Sequence, residues 1–313
     1  MVRRWMLLIM MLFPLIGCHS LSVLQEQTQQ TIIPVKIETL FYTPEDFSRI
    51  KVSGQIILNI HTGARRSWVS MHGDSRDLRN IEWKVASKTK ILSICLGHSY
   101  PKHGPVTIDI GVRQLNALSY HGNGNVTGHR LHSYQLDLDI HNARNTLTLL
   151  EGNMNLHKVA LSGEGAIQIK GGANHLMSLR LQDKVNATIT GPAAPQKITM
   201  SDCSYLTIRQ IQAKDIQIAM TDKACAILAG KARWALIKLE DSAHFNGRYL
   251  RLTEAFVKTS DKAMALIYVI NSQHTLATGK SNIYYYNTPS YRFDNMEQNA
   301  AVLNYGNEVL QEY

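Results

Sequence analysis

From Phe41 onward, apolar residues fall at every second position in short runs. Ile50 and Val52, then Ile56, Leu58 and Ile60, alternate with other residues across a break at Ser53-Gly54. Lys90-Ile91-Leu92-Ser93-Ile94 and Pro105-Val106-Thr107-Ile108-Asp109-Ile110 repeat the theme. Period-two alternation bounded by Gly, Pro and Asn marks strands that bury one face. In Leu136-Asp137-Leu138-Asp139-Ile140 the apolar side chains are expected to point inward and the aspartates outward. Leu161, Ile167 and Ile169 are expected inside, with Gln168 outside.

Between residues 118 and 283 the pattern becomes an internal repeat: a short alternating strand, a polar corner, another short strand. One corner position recurs as Gly122, Asn142, Gly163, Asp183, Asp202, Asp222, Asp241, Asp261 and Gly279, at spacings of 20, 21, 20, 19, 20, 19, 20 and 18 residues. A single coil cannot bury its apolar face alone, whereas stacked coils share a continuous core. The repeat predicts an all-β fold: a right-handed, single-stranded β-helix-like solenoid of about 20-residue coils with an N-terminal β cap. The fixed Leu and Asn consensus of a leucine-rich repeat is missing. Every marker is Gly, Asn or Asp, residues that tolerate left-handed backbone and bond their own main chain at tight corners.

Five successive corners are aspartates, which stacking would bring to about 4.8 Å from one another. Lys184, Lys223 and Lys262 follow on alternate coils and are expected to neutralise the column. Calcium is the rival explanation, but the glycine-rich nonapeptide of calcium-binding β-rolls is absent.

The chain opens with Arg3 and Arg4, an apolar run from Trp5 to Ile16, and Leu15-Ile16-Gly17-Cys18. A run this short does not comfortably span a bilayer, which takes about 20 residues, so residues 1–17 read as a signal peptide. Its end resembles a bacterial lipobox. That resemblance implies cleavage between Gly17 and Cys18 and lipidation of Cys18, with enough acyl chains for stable membrane anchoring. His19, where an Asp would retain the protein at the inner membrane, implies by likeness to Gram-negative lipoproteins an outer-membrane destination. Gln-rich residues 18–38 read as a flexible tether. Residues 39–104 read as the β cap, 105–290 as the solenoid, and 291–313 as a C-terminal tail.

Several motifs resemble the DUF2807 (auto-transporter adhesin, head GIN domain) family. They are Phe47-Ser48-Arg49-Ile50-Lys51-Val52-Ser53-Gly54, His72-Gly73-Asp74, Pro105-Val106-Thr107-Ile108, the corners His121-Gly122-Asn123-Gly124 and Ser162-Gly163-Glu164-Gly165, and the terminal Ile283-Tyr284-Tyr285-Tyr286-Asn287-Thr288-Pro289. The likeness covers about residues 40 to 290. Corners of Asp-Lys, Asp-Cys and Asp-Ser depart from the family's Ser-Gly-Ser-Gly. The resemblance implies a β-helical, envelope- or surface-associated protein and carries no activity with it.

The formal charge is +9. A moderate positive excess suits anionic headgroups or acidic glycans and also serves solubility. No basic block with interleaved aromatics points to nucleic acid. β-Helices also host polysaccharide lyases and hydrolases, whose sites need carboxylates with Arg or Lys converging on one outer face. Asp137 and Asp139 share a strand face about 7 Å apart, a separation open to paired-carboxylate chemistry and equally to a solvated face. His121, His129, His132, His141 and His157 share no ligand spacing, and no metal or cofactor is expected. Cys203 and Cys225 lie one and three residues after their corners, so their Cα atoms should be about 8 Å apart, beyond disulfide reach. Both are expected to be free, largely buried thiols. Tyr284-Tyr285-Tyr286, with Tyr291 and Phe293, is expected to cap the solenoid. The reading is a non-enzymatic outer-membrane lipoprotein. It would be held in the membrane by its acyl chains and dock other envelope proteins, as in a secretion-system outer-membrane complex. The alternatives are an adhesin binding glycan or host surface, and a glycan-cleaving enzyme.

Overall fold

The computed structural model describes residues 36–143, 145–171 and 176–306. Gly17, Cys18 and the signal peptide lie outside the described residues. No helix among the described residues is long and apolar enough to cross a membrane.

Among the described residues, twenty-one strands stack into one sheet system that winds as a solenoid of roughly 20-residue coils. The alternation sets the inside. Leu136, Leu138 and Ile140 are buried, Asp137 is half-buried and Asp139 is exposed; Leu161, Ile167 and Ile169 are buried around an exposed Gln168. Parallel in-register pairing then stacks like on like. Tyr120, Ile140, Leu161, Leu181, Met200, Met220, Leu239 and Thr259 form one buried ladder. Excluding water along such a ladder is the main driving force for stacking, since each coil supplies only half a core.

At the N-terminal end the order of coils departs from the order of the sequence. Strand Arg49–Ser53 pairs in parallel with Ile91–Leu96 on one side and Ala117–Gly122 on the other. Strand Ile57–Thr62 likewise lies between Thr107–Val112 and the start of Val126–Asn142. The first coil is thus sandwiched between the second and the third. Residues 39–104 are therefore not simply a cap, because they contain one whole coil and part of another. The covering elements are antiparallel. Trp68–Asp74 lies on Thr107–Val112, Ile37–Tyr42 lies on Trp68–Asp74, and Ile81–Ala86 lies on Ile91–Leu96. Ile37 and Glu38, assigned to the tether by their composition, belong to this layer.

Short helix Ser75–Leu78 holds the cap in place. Asp77 is fully buried and accepts backbone hydrogen bonds from Lys102 and His103, at 3.1 and 2.8 Å, with the His103 ring at 3.1 Å. Burial alone would raise its pKa, but these donors bring it below the ordinary aspartate value. Asp74, also buried, is held lower still by the Arg76 guanidinium and the Arg76 N–H. Further in, the buried Tyr120 hydroxyl lies 2.9 Å from the Ile56 carbonyl oxygen and accepts from the Gly124 N–H at 2.7 Å. Burial pushes its phenol up to about 12.

The corners are left-handed where the markers are aspartates. Asp183, Asp202, Asp222, Asp241 and Asp261 have φ of 61, 60, 59, 58 and 59°, and Gly163 and Gly279 have 93 and 74°. Gly122 and Asn142 are exceptions. Gly122 has ordinary φ, and glycine is required there by contact: a Cβ would lie 1.9 Å from the Gly54 carbonyl oxygen. Asn142 is buried and bonds Thr148 Oγ1 at 2.9 Å, and the left-handed residue of its corner is Asn145. A further corner, at Gln298 (φ 62°), escaped the marker pattern because its residue type gives no turn signal.

The solenoid continues past residue 290. Tyr291–Met296 pairs in parallel with Met264–Ala277, and Ala301–Asn304 with Asn282–Tyr285. Capping also differs from expectation. Tyr285 is part of the core of the preceding coil, and the last coil covers that core with Ala300 and Val302 on one side and with polar inward positions, Arg292 and Asp294, on the other. Asp294 accepts from Thr275 Oγ1 at 2.6 Å and from Gln273 Nε2 at 3.3 Å, and pairs with Arg292 Nε at 2.9 Å; Arg292 also donates to the Tyr285 hydroxyl.

Candidate binding surface on the solenoid flank

The aspartate column resolves into a main-chain device. Each carboxylate accepts from the N–H of the preceding marker: Gly163 to Asp183 at 2.9 Å, then Asp183 to Asp202, Asp202 to Asp222 and Asp222 to Asp241 at 3.2 Å each. Ser201, Thr221 and Ser260 hydroxyls donate to the neighbouring Asp202, Asp222 and Asp261 at 2.8 to 2.9 Å. The expected lysine compensation is not what holds the column. Lys184 pairs with Glu164 at 3.0 Å, and among the described residues neither Lys223 nor Lys262 has an ion pair.

Outward positions of the strands preceding the corners form straight rows. One row carries Arg49, Ala117 and Asp137, continued by Lys158, Ser178 and Lys197. The next carries Lys51, Ser119, Asp139, Ala160, Arg180 and Thr199. The rows bring Asp137 and Asp139 together with Arg49, Lys51, Lys158 and Arg180 around a groove of about 460 Å³. Asp137 Oδ1 accepts from the Lys158 N–H at 3.2 Å and lies 2.9 Å from His157 Nδ1. Asp139 Oδ2 accepts from Ser119 Oγ at 3.2 Å and lies 3.0 Å from His121 Nε2. The four cations come from three strands, Arg49 and Lys51 sharing Arg49–Ser53, so no sequence spacing joins that pair to Lys158 or Arg180. Only the pairing register does.

Of the remaining histidines, His141 lies edge-on to His121, ring centroids 6.1 Å apart, and His129 and His132 stand away from the groove. His141 Nδ1 meets Ser162 Oγ at 2.9 Å, His129 meets Glu151 at 3.0 Å, and His132 packs edge-on to Tyr134. Lys170 and His129 hold Glu151 below the usual carboxylate value. Cys203 and Cys225 are both free, and the register sets Cys225 opposite Tyr205, two positions beyond Cys203. Their expected burial needs correction. Cys203 is exposed because it sits on the corner, and Cys225 is half-buried on an outward row, where burial raises its thiol pKa.

One family profile, described as "Putative auto-transporter adhesin, head GIN domain", matches residues 46–178 and 154–289. The chain belongs to the DUF2807 family. The two DUF2807 matches together run from just before the first coil to just before the last, and both rows of the groove lie within them. This family is adhesin-like, which supports a binding role and an envelope or surface location. A search of curated proteins gives no match. Similar solved structures include a "putative lipid binding protein" from Parabacteroides distasonis, at 12% identity and TM-score 0.47, covering 86% of this chain and 96% of that one. A "putative adhesin" from Parabacteroides merdae is 14% identical with TM-score 0.43, at 86% and 96% coverage. Another from P. distasonis is 16% identical with TM-score 0.45, at 86% and 97%.

Proposed function

We propose that this protein is a lipid-anchored outer-membrane protein that works by binding rather than catalysis, with the flank groove as its docking surface for an anionic partner. The observation that carries this reading is the convergence of Arg49, Lys51, Lys158 and Arg180 on two aspartates. Four cations against two anions leave a positive site, and the paired coils hold the strands that carry them in register before the partner arrives, which lowers the ordering cost of binding. Each aspartate is engaged by a histidine and a second donor, which suits a fixed charge in recognition better than a free acid or base. Acidic envelope proteins, including subunits of an assembly such as a secretion-system outer-membrane complex, and acidic glycans both fit this surface.

The test is site-specific photocrosslinking in native membranes. A crosslinker at Ser119, on the groove, should capture a partner, and the same group at Gln168, on a different outer face, should not. Lys158→Glu with Arg180→Glu should abolish capture from Ser119. Equal capture from both positions, or capture indifferent to the double reversal, would remove the groove from the function.

A further inference from the structure

The same flank changes character toward the C-terminal end. Its rows become Trp234, Glu254, Ser272 and Tyr291 beside Leu236, Phe256, His274 and Phe293. Phe256 is 39% exposed, Tyr291 58% and Phe293 57%. The His274 ring lies 5.6 Å from Tyr291 and 6.2 Å from Phe293, centroid to centroid. Trp234, Leu236, Glu254, Phe256, Ser272 and His274 line a shallow cleft of about 460 Å³. The adjoining row places Lys238 directly beside Lys258. Both are exposed, and neither has an ion pair among the described residues.

We infer that this cleft is a subsite for an acidic glycan, one whose sugars carry carboxylate or sulfate. The inference rests on the reading of the flank as a docking surface and names the partner's chemistry. An apolar protein patch would be served by aromatic rings alone. Here a carboxylate, a hydroxyl and an imidazole stand between the rings, and two lysines stand side by side on the adjoining row. Clefts with apolar walls and a few placed polar groups are typical ligand sites. The rings offer flat apolar faces to the C–H side of a pyranose, and Glu254, Ser272 and His274 offer hydrogen bonds to its hydroxyls. Lys238 and Lys258 supply charge complementarity for the acidic substituent. The cleft also continues the rows that carry Lys158, Arg180 and Lys197, so a polyanionic chain laid along the solenoid axis meets cations at both ends of its path.

Calorimetric titration of the purified protein with oligogalacturonide, hyaluronan and heparan sulfate fragments, each beside its reduced counterpart (carboxyl-reduced, and for heparan sulfate also desulfated), tests this. At least one acidic fragment should bind more tightly than its reduced counterpart. Phe256→Ala should weaken that binding about tenfold while the protein stays folded, because the side chain lies on an outward row and not in the core. Lys238→Ala with Lys258→Ala should weaken acidic fragments and leave their reduced counterparts unaffected. Acidic fragments that bind no better than reduced ones, or affinity unchanged by Phe256→Ala, would overturn the inference. If either result accompanies Ser119 crosslinks to a protein, the docking reading stands and the glycan subsite falls. If fragments bind as expected but Ser119 captures nothing, the subsite stands and the groove reading falls.

Discussion

The carboxylate of Asp202 accepts the backbone N–H of Asp183, one coil earlier, at 3.2 Å. Stacked aspartates would repel if they faced only one another. Here each faces a main-chain donor that a left-handed corner has turned out of the strand ladder, so charge and backbone geometry stabilise one another.

That coupling predicts a graded series at Asp222. Asp222→Ala removes the acceptor for Asp202 N–H and Thr221 Oγ1 and leaves a Cβ residue at φ 59° without local hydrogen bonds. It should cost about 1–3 kcal/mol. Asp222→Gly relieves the backbone but not the lost bonds and should cost less, and Asp222→Asn least. Urea unfolding of the three variants checks the order, and Ala ranking above Gly in stability would contradict it.

The inward–outward assignment can be tested in a single coil. Leu161→Asp buries a charge at a site 2% exposed and should destabilise by several kcal/mol, whereas Gln168→Asp should be nearly silent. Equal melting temperatures would mean that the register is wrong.

The cap should respond to acid. Asp74 and Asp77 have folded pKa values below their ordinary one. Their stabilising contribution is therefore present above the unfolded value of about 3.9 and is lost as pH falls through the lowered folded values. Melting temperature should fall steeply below about pH 4, with hydrogen exchange rising first in residues 68–103. Asp77→Asn should flatten that slope, and a wild-type slope in the variant would exclude Asp77 as its source.

The anchor is the simplest case. On the proposed lipid anchoring Cys18 would carry the acyl group, so Cys18→Ser should abolish lipid labelling and leave unprocessed precursor. Retention in outer membranes at wild-type levels after a high-salt wash would show that something other than lipid holds the protein there.

The coils were legible in the sequence because every interior turn repeats one inward pattern, as Leu161 and Ile169 show. The last coil was not, because its inward positions include Arg292 and Asp294, which close the core with polarity and so invert the pattern. The same limit hid the corner at Gln298. Asp137 and Asp139 were readable as a pair on one strand. Their cationic surroundings and the aromatic cleft were not, since Arg49, Lys158 and Arg180, like Trp234 and Phe256, become neighbours only through pairing register.

The sandwiched first coil also bears on how the molecule is made. Along most of the stack a strand meets its neighbour about 20 residues later, but Arg49 must wait for Ala117, 68 residues on. Closing the longer loop costs only about 1 kcal/mol more entropy, yet it imposes an order of events. Residues 49–62 are synthesised early and find neither flanking strand until residues 91–128 have followed. The N-terminal end of the solenoid is thus a clasp completed late. Coils from the third onward can zip up on one another, so length can be gained or lost there without reopening the clasp.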